Sequence, residues 1–163
     1  MSTQSENQQL IQKFYEAFVQ KDFETMKSSY HADAVFSDPV FGELKGIKIG
    51  AMWQMLCEKS GPDFKIEFSD IKADHDSVLA KWQAWYTFAK TKRPIHNKIS
   101  ASFKFAANGK IINHQDSFSL YKWIRMALGS KGLFIGWLPS VQSKIRQESM
   151  TGLDLFMKRK RIQ

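Results

Sequence analysis

Cysteine is nearly missing from this chain: Cys57 is the single one, so no internal disulfide can form. Long apolar runs are missing too. The stretch LFIGWL at 133–138 is the nearest thing to one, and it is far short of the roughly 20 residues of a membrane span and carries a glycine. The polar start MSTQSENQQ lacks the charged-then-apolar order of a secretory signal, so a cytoplasmic location is expected. The four histidines and one cysteine have no ligand spacing, and no glycine-rich nucleotide fingerprint occurs, which predicts no metal and no cofactor. Hydrophobic residues, in contrast, are plentiful. With 163 residues, 43% of them hydrophobic and 13% aromatic, the chain can bury one substantial core.

The formal charge of +8 is unevenly spread. Residues 121–163 carry nine Lys/Arg against Glu148 and Asp154, a surplus of +7, which leaves the first 120 residues at +1. No basic face interleaved with aromatics appears, so nucleic-acid binding is not expected, and a solvated basic tail is the simpler reading.

Periodicity orders the elements. Leu10, Phe14, Ala17 and Phe18 recur at helical spacing over 5–20, with Ser5 and Gln8 as a capping box. A short second helix starts at Asp22 and places Phe23, Met26 and Tyr30 on one face. The strand-like run Ala34-Val35-Phe36 is closed by Asp38-Pro39, and a third helix follows Gly46 with Ile49, Met52, Trp53 and Leu56 before Gly61-Pro62. From residue 64 the period becomes two. Strands are expected at 64–72, 78–89, 98–107 and 110–120, turned by Asp74 to Asp76, by Lys90 to Asn97, and by Asn108-Gly109 with positive φ at both positions.

Alternation then assigns faces. One face collects Ile66, Phe68, Val78, Ala80, Trp82, Ala84, Tyr86, Phe88, Ile99, Ala101, Phe103 and Phe105; the other collects Lys65, Glu67, Ser69, Lys81, Gln83, Ser100, Ser102 and Lys104, with Trp85 as a lone aromatic that would suit a sheet-to-sheet dimer contact. In the last strand Phe118 and Leu120 draw His114 and Asp116 to the apolar side. A carboxyl group there costs several kcal/mol unless it is paired, hydrogen-bonded or protonated. His114 and Asp116 are therefore either a satisfied polar plug in the core or groups that face a ligand. Asp38 has two readings as well: a turn residue accepting backbone N–H bonds, or a pocket carboxyl.

The order α-α-β-α-β-β-β-β, together with YHADAVFSDPVFGELKG at 30–46, resembles the nuclear-transport-factor-2-like superfamily, especially its SnoaL-like and ketosteroid-isomerase-like members. The resemblance covers roughly residues 8–120. It implies an α+β fold: a cone-shaped, curved antiparallel sheet packed against three N-terminal helices, a cystatin-like α+β barrel, over 1–120, with 121–163 as a C-terminal helical extension of the same domain. It also implies a pocket lined by Phe14, Trp53, Phe68, Trp82, Tyr86, Ala101, Phe103 and Phe118, and a homodimer. Isomerase members use the aspartate of the Asp-Pro pair, here Asp38, as a base, with a tyrosine and a protonated aspartate as oxyanion donors. Those two positions fall on Phe14 and Ala101, with Tyr15 one residue away and turned by about 100°. Polyketide cyclases of the SnoaL type resemble the chain at Asp116 as the acid/base group. The Asp-Arg-Asp set of limonene-epoxide-hydrolase relatives finds only Arg93 between Asp38 and Asp116.

These readings predict general acid/base chemistry by Asp38, His114 and Asp116 on a small apolar carbonyl or cyclic substrate, as an isomerase, cyclase or hydrolase-like enzyme. The alternative is a non-catalytic module that shelters an apolar ligand in the same pocket. The tail reads as two helical pieces broken by Gly129 to Gly132, with Leu133, Phe134, Ile135 and Trp137 as a lid over the cone. Its alternative role is a basic interfacial segment that touches an anionic membrane or a partner.

Overall fold

The computed structural model describes residues 3–163. Three helices come first: α1 (Gln4–Val19), α2 (Phe23–Ser28) and α3 (Ile47–Lys59). The box that opens α1 is Thr3 with Glu6, each side chain bonding the other's backbone N–H, because Ser5 already lies within the helix. Asp22 caps α2 as expected, through the Thr25 amide.

Six strands form one sheet: β1 (Tyr30–Asp38), β2 (Gly42–Lys45), β3 (Lys65–Asp74), β4 (Ser77–Phe88), β5 (Arg93–Phe105) and β6 (Ile111–Ser117), in the order β2-β1-β6-β5-β4-β3. The four strands expected after residue 64 are present as an antiparallel meander. Two features depart from the sequence reading. Residues 42–45 add a short strand, too brief to show a period, and β1 pairs with β6 in parallel rather than antiparallel, so the sheet is mixed. Tyr30, expected on a helix face, is the first residue of β1.

The turns are sharper than composition indicates. His75 and Asp76 form a two-residue loop between the paired Asp74 and Ser77. The next turn is shorter than 90–97, since β5 starts at Arg93. At the third, only Gly109 of the Asn108-Gly109 pair has positive φ (79°), and Ala106 pairs with Lys110 across a three-residue loop.

Ile66, Val78, Ala80, Trp82, Ala84, Ile99, Ala101 and Phe103 line the inner face of the sheet, as alternation predicts, and α1 and α3 fill the concavity with Ile11, Phe14, Tyr15, Phe18, Met52 and Trp53. Beyond β6 the chain forms α4 (Leu120–Leu128), α5 (Ser130–Ile135) and α6 (Pro139–Lys160), three helices rather than two. Ser119 ends the strand early by capping α4 through the Lys122 amide.

The expected lid is corrected by these helices. Leu133, Phe134, Ile135 and Trp137 are exposed, and α4 covers the sheet end instead, burying Leu120, Trp123, Ile124 and Ala127 against Ile95, Tyr86, Phe88, Val40 and Phe118. Trp123 Nε1 donates to Tyr86 Oη at 2.8 Å. The reason is periodicity: the α4 sequence presents a continuous apolar stripe, whereas α5 is a single short turn-and-a-half with glycine on its inner side. α6 then crosses back over the helices, with Leu153 and Phe156 in the main core.

Candidate active site at Asp38 and Asp116

The parallel pairing of β1 with β6 sets Phe36 opposite His114 and Ser37 opposite Gln115, which brings the end of β1 beside Asp116. Asp38 and Asp116 line one depression of about 320 Å³, shared with Ser37, Pro39, Gln115, Ser117 and Phe118. Of the expected lining residues, Phe118 is the one found there. Phe68 and Trp82 border a separate depression with Lys81 and Lys98, and Phe14, Trp53, Ala101 and Phe103 are enclosed in the core. Tyr86 lies under α4.

His114 and Asp116 touch. His114 is fully buried and Asp116 is 4% exposed, with Nε2 to Oδ1 at 2.9 Å. Tyr30 Oη lies 2.7 Å from His114 Nδ1, Trp53 Nε1 donates to Tyr30 Oη at 3.0 Å, and Trp82 Nε1 donates to Asp116 Oδ1 at 3.4 Å. The direction of this chain follows from donor counting. Tyr30 Oη accepts from Trp53, so its own proton goes to His114 Nδ1, and the imidazole then donates from Nε2 to Asp116. Were both ring nitrogens donors, the Tyr30 hydroxyl proton would have no acceptor in a closed core. Every donor therefore points toward Asp116.

Aromatic rings wall this chain in. His114 stacks on Trp53 at 6.0 Å and 15°, lies 4.1 Å from the Phe103 ring, and meets Phe14 and Phe36 edge-on. Asp116 also stands directly opposite Ala101 across β5 and β6. The acid missing at Ala101 has a neighbour one strand over.

Asp38 is a turn residue that also borders the depression. Its Oδ1 accepts from the Val40 amide at 2.9 Å and the Phe41 amide at 2.5 Å, holding the turn to β2. Burial pushes its pKa up to about 7, the Phe41 amide opposes the rise, and the nearby Asp116 carboxyl adds to it. Each carboxyl is thus tethered through Oδ1, the Gly42 backbone N–H also acts on the Asp38 carboxyl, and Asp116 Oδ2 has no hydrogen-bond partner among the described residues.

Two groups escaped the sequence reading. Tyr30 is the central link to His114; alternation could not announce it, because Ala32 is exposed and the β1–β6 register shifts between Tyr30 and Val35. Tyr15 is fully buried, stacks on Phe68 at 5.4 Å, and has a hydroxyl without a partner among the described residues. Burial and then the Asp116 charge raise its pKa well above the usual phenol value. Arg93 is not at the depression: its Nε donates to Met126 O at 2.9 Å, at the end of α4.

A β-rich cone closed by helices, with paired carboxyls at the junction of its first and last strands, defines the class. The SnoaL-like domain profile matches residues 11–114, and the chain belongs to that family within the nuclear-transport-factor-2-like superfamily. Among solved structures it is similar to an epoxide hydrolase of the limonene-epoxide-hydrolase-like type from M. tuberculosis, at 20% identity and TM-score 0.63, covering 83% of this chain and 97% of that one. A putative polyketide cyclase from Xanthomonas campestris pv. campestris aligns at 19% identity and TM-score 0.64, over 77% and 99% of the two chains. Bal32a, from a soil-derived mobile gene cassette, aligns at 21% identity and TM-score 0.66, over 75% and 96%. No curated protein sequence matches.

Proposed function

We propose that this SnoaL-like domain performs general acid/base chemistry on a small, mostly apolar carbonyl or cyclic substrate held between Asp38 and Asp116. The observation that carries the proposal is the pair of carboxyl groups, each anchored through Oδ1, that border one depression. With a pKa of about 7, Asp38 exists as acid and as base in comparable amounts near neutral pH, where proton transfer in both directions is efficient.

In this scheme Asp38 Oδ2 takes a proton from carbon beside a carbonyl, or gives one to a ring oxygen, and Asp116 Oδ2 makes the complementary transfer. His114 fixes the Asp116 carboxyl through its Nε2–H. Tyr30 and Trp53 hold the imidazole in the one tautomer that can do this. Phe118 and Pro39 supply apolar contact. The two family donors that would stabilise an enolate are replaced by Phe14 and Ala101, and Arg93 is bound elsewhere, so a cyclase-like proton exchange fits these residues better than steroid isomerisation or Asp-Arg-Asp hydrolysis.

The test is a pH–rate profile over a panel of small cyclic ketones and epoxides. Asp38→Asn and Asp116→Asn are each expected to lower kcat/KM by roughly 100-fold or more, and the limb near pH 7 is expected to vanish in Asp38→Asn. Undiminished turnover in both variants would overturn the proposal. Ligand retained by the double variant, with no turnover of the panel by the parent, would establish the non-catalytic binding module instead.

A further inference from the structure

The site makes no use of α5, whose placement is nonetheless tightly specified. Gly132 and Gly136 are buried against α4: a Cβ at Gly132 would lie 2.5 Å from the Ile124 carbonyl oxygen, and one at Gly136 2.8 Å from Ile124 Cγ2. Tyr121 Oη donates to Leu133 O at 3.1 Å, and Trp137 Nε1 donates to Phe134 O at 3.0 Å. With glycines at i and i+4 facing inward, Phe134 is turned about 200° from Gly132 and so faces out. Phe134 is 72% exposed and Trp137 62%, flanked by exposed Leu133 and Ile135. A firmly seated element therefore shows its four large apolar side chains to the outside, which is not what folding alone selects.

Charge supplies an independent observation. Residues 117–147 contain no Asp or Glu and five basic residues, Lys122, Arg125, Lys131, Lys144 and Arg146. Lys122, Arg125, Lys131 and Lys144 are exposed, and none forms a salt bridge among the described residues, although Lys elsewhere on the surface repeatedly does. Arg146 is held by the Pro39 carbonyl at 3.0 Å.

We propose that α5 and the adjoining face of α4 dock on an anionic phospholipid bilayer, with Phe134 and Trp137 entering the headgroup layer and Lys122, Arg125 and Lys131 against acidic headgroups. An apolar tip on a stretch that carries cations and no acids matches both parts of such a surface. A second copy joined through the same patch would oppose two like-charged faces. The attachment is peripheral, as no helix of the described residues is long and apolar enough to cross a membrane.

Co-sedimentation of the full chain tests this, with vesicles of phosphatidylcholine alone and with about one third phosphatidylglycerol. Binding is expected to the anionic vesicles only and to weaken with salt. Phe134→Ala/Trp137→Ala is expected to lower partitioning roughly tenfold or more. Lys122→Gln and Lys131→Gln should each lower it about fivefold. Thermal unfolding that matches the parent's shows that the variants are folded. No binding, or equal binding to neutral vesicles, overturns the proposal. Two further results overturn it: a dimer in solution that Phe134→Ala/Trp137→Ala converts to monomer, which makes the occupant a second copy, or duplex DNA that outcompetes the vesicles.

Discussion

Asp38 ties stability to pH. Its carboxyl has a higher pKa in the folded chain, about 7, than the ordinary 3.8. The folded state thus holds a proton that the unfolded state gives up, and stability falls as pH rises from about 4 to about 7, then levels off. Asp38→Asn, which cannot ionise, is expected to remove that fall and to be more stable than the parent at about pH 8, by at most roughly 4 kcal/mol. Urea unfolding of both chains at about pH 4.5 and pH 8 measures the difference. Tyr30→Phe acts in the opposite sense. It leaves the Trp53 N–H and His114 Nδ1 unpartnered in a closed core, an expected loss of roughly 2–4 kcal/mol by the same method.

At the scale of elements, the α4–α5 seat depends on two positions without side chains. Gly132→Ala places a methyl group against the Ile124 carbonyl, which cannot yield as a flexible side chain would, so α5 must shift at a cost of about 1–3 kcal/mol. Amide exchange in Leu133 to Gly136 should speed up while β4 and β5 stay protected. The meander was legible because Val78 to Ala84 and Ile99 to Phe103 alternate without a break, and the buried histidine–aspartate pair followed from the same rule. Other elements were not. A four-residue strand such as β2 is too short for a period, and the parallel partner of β1 lies far along the chain, where no local pattern can announce it. Tyr30 was misread because α2 ends only two residues before it and helical spacing ran on across the boundary. The depression itself is a product of tertiary placement: the sequence supplied Asp38, Asp116 and Phe118, while the large aromatics expected to line it pack on one another.

For the whole molecule, the segment after residue 119 packs on both apolar clusters. It covers Tyr86, Phe88, Ile95 and Phe118 through α4, adds Leu153 and Phe156 to the main core, and reaches the Asp38 turn through Arg146. A chain ending at Ser119 is therefore expected to expose an apolar sheet end and to aggregate or lose cooperative melting, as calorimetry would show. The parallel union of β1 with β6 has a consequence for how the protein comes into being. Its partners are separated by about 80 residues, a long loop to close, so refolding is expected to be slow, in milliseconds to seconds. On the ribosome, the first helices and the β1–β2 hairpin emerge early and must wait, unpaired along one edge, until the sixth strand has been made. Asp38 and Asp116 meet only at that late event, so a truncated or stalled product cannot carry the site.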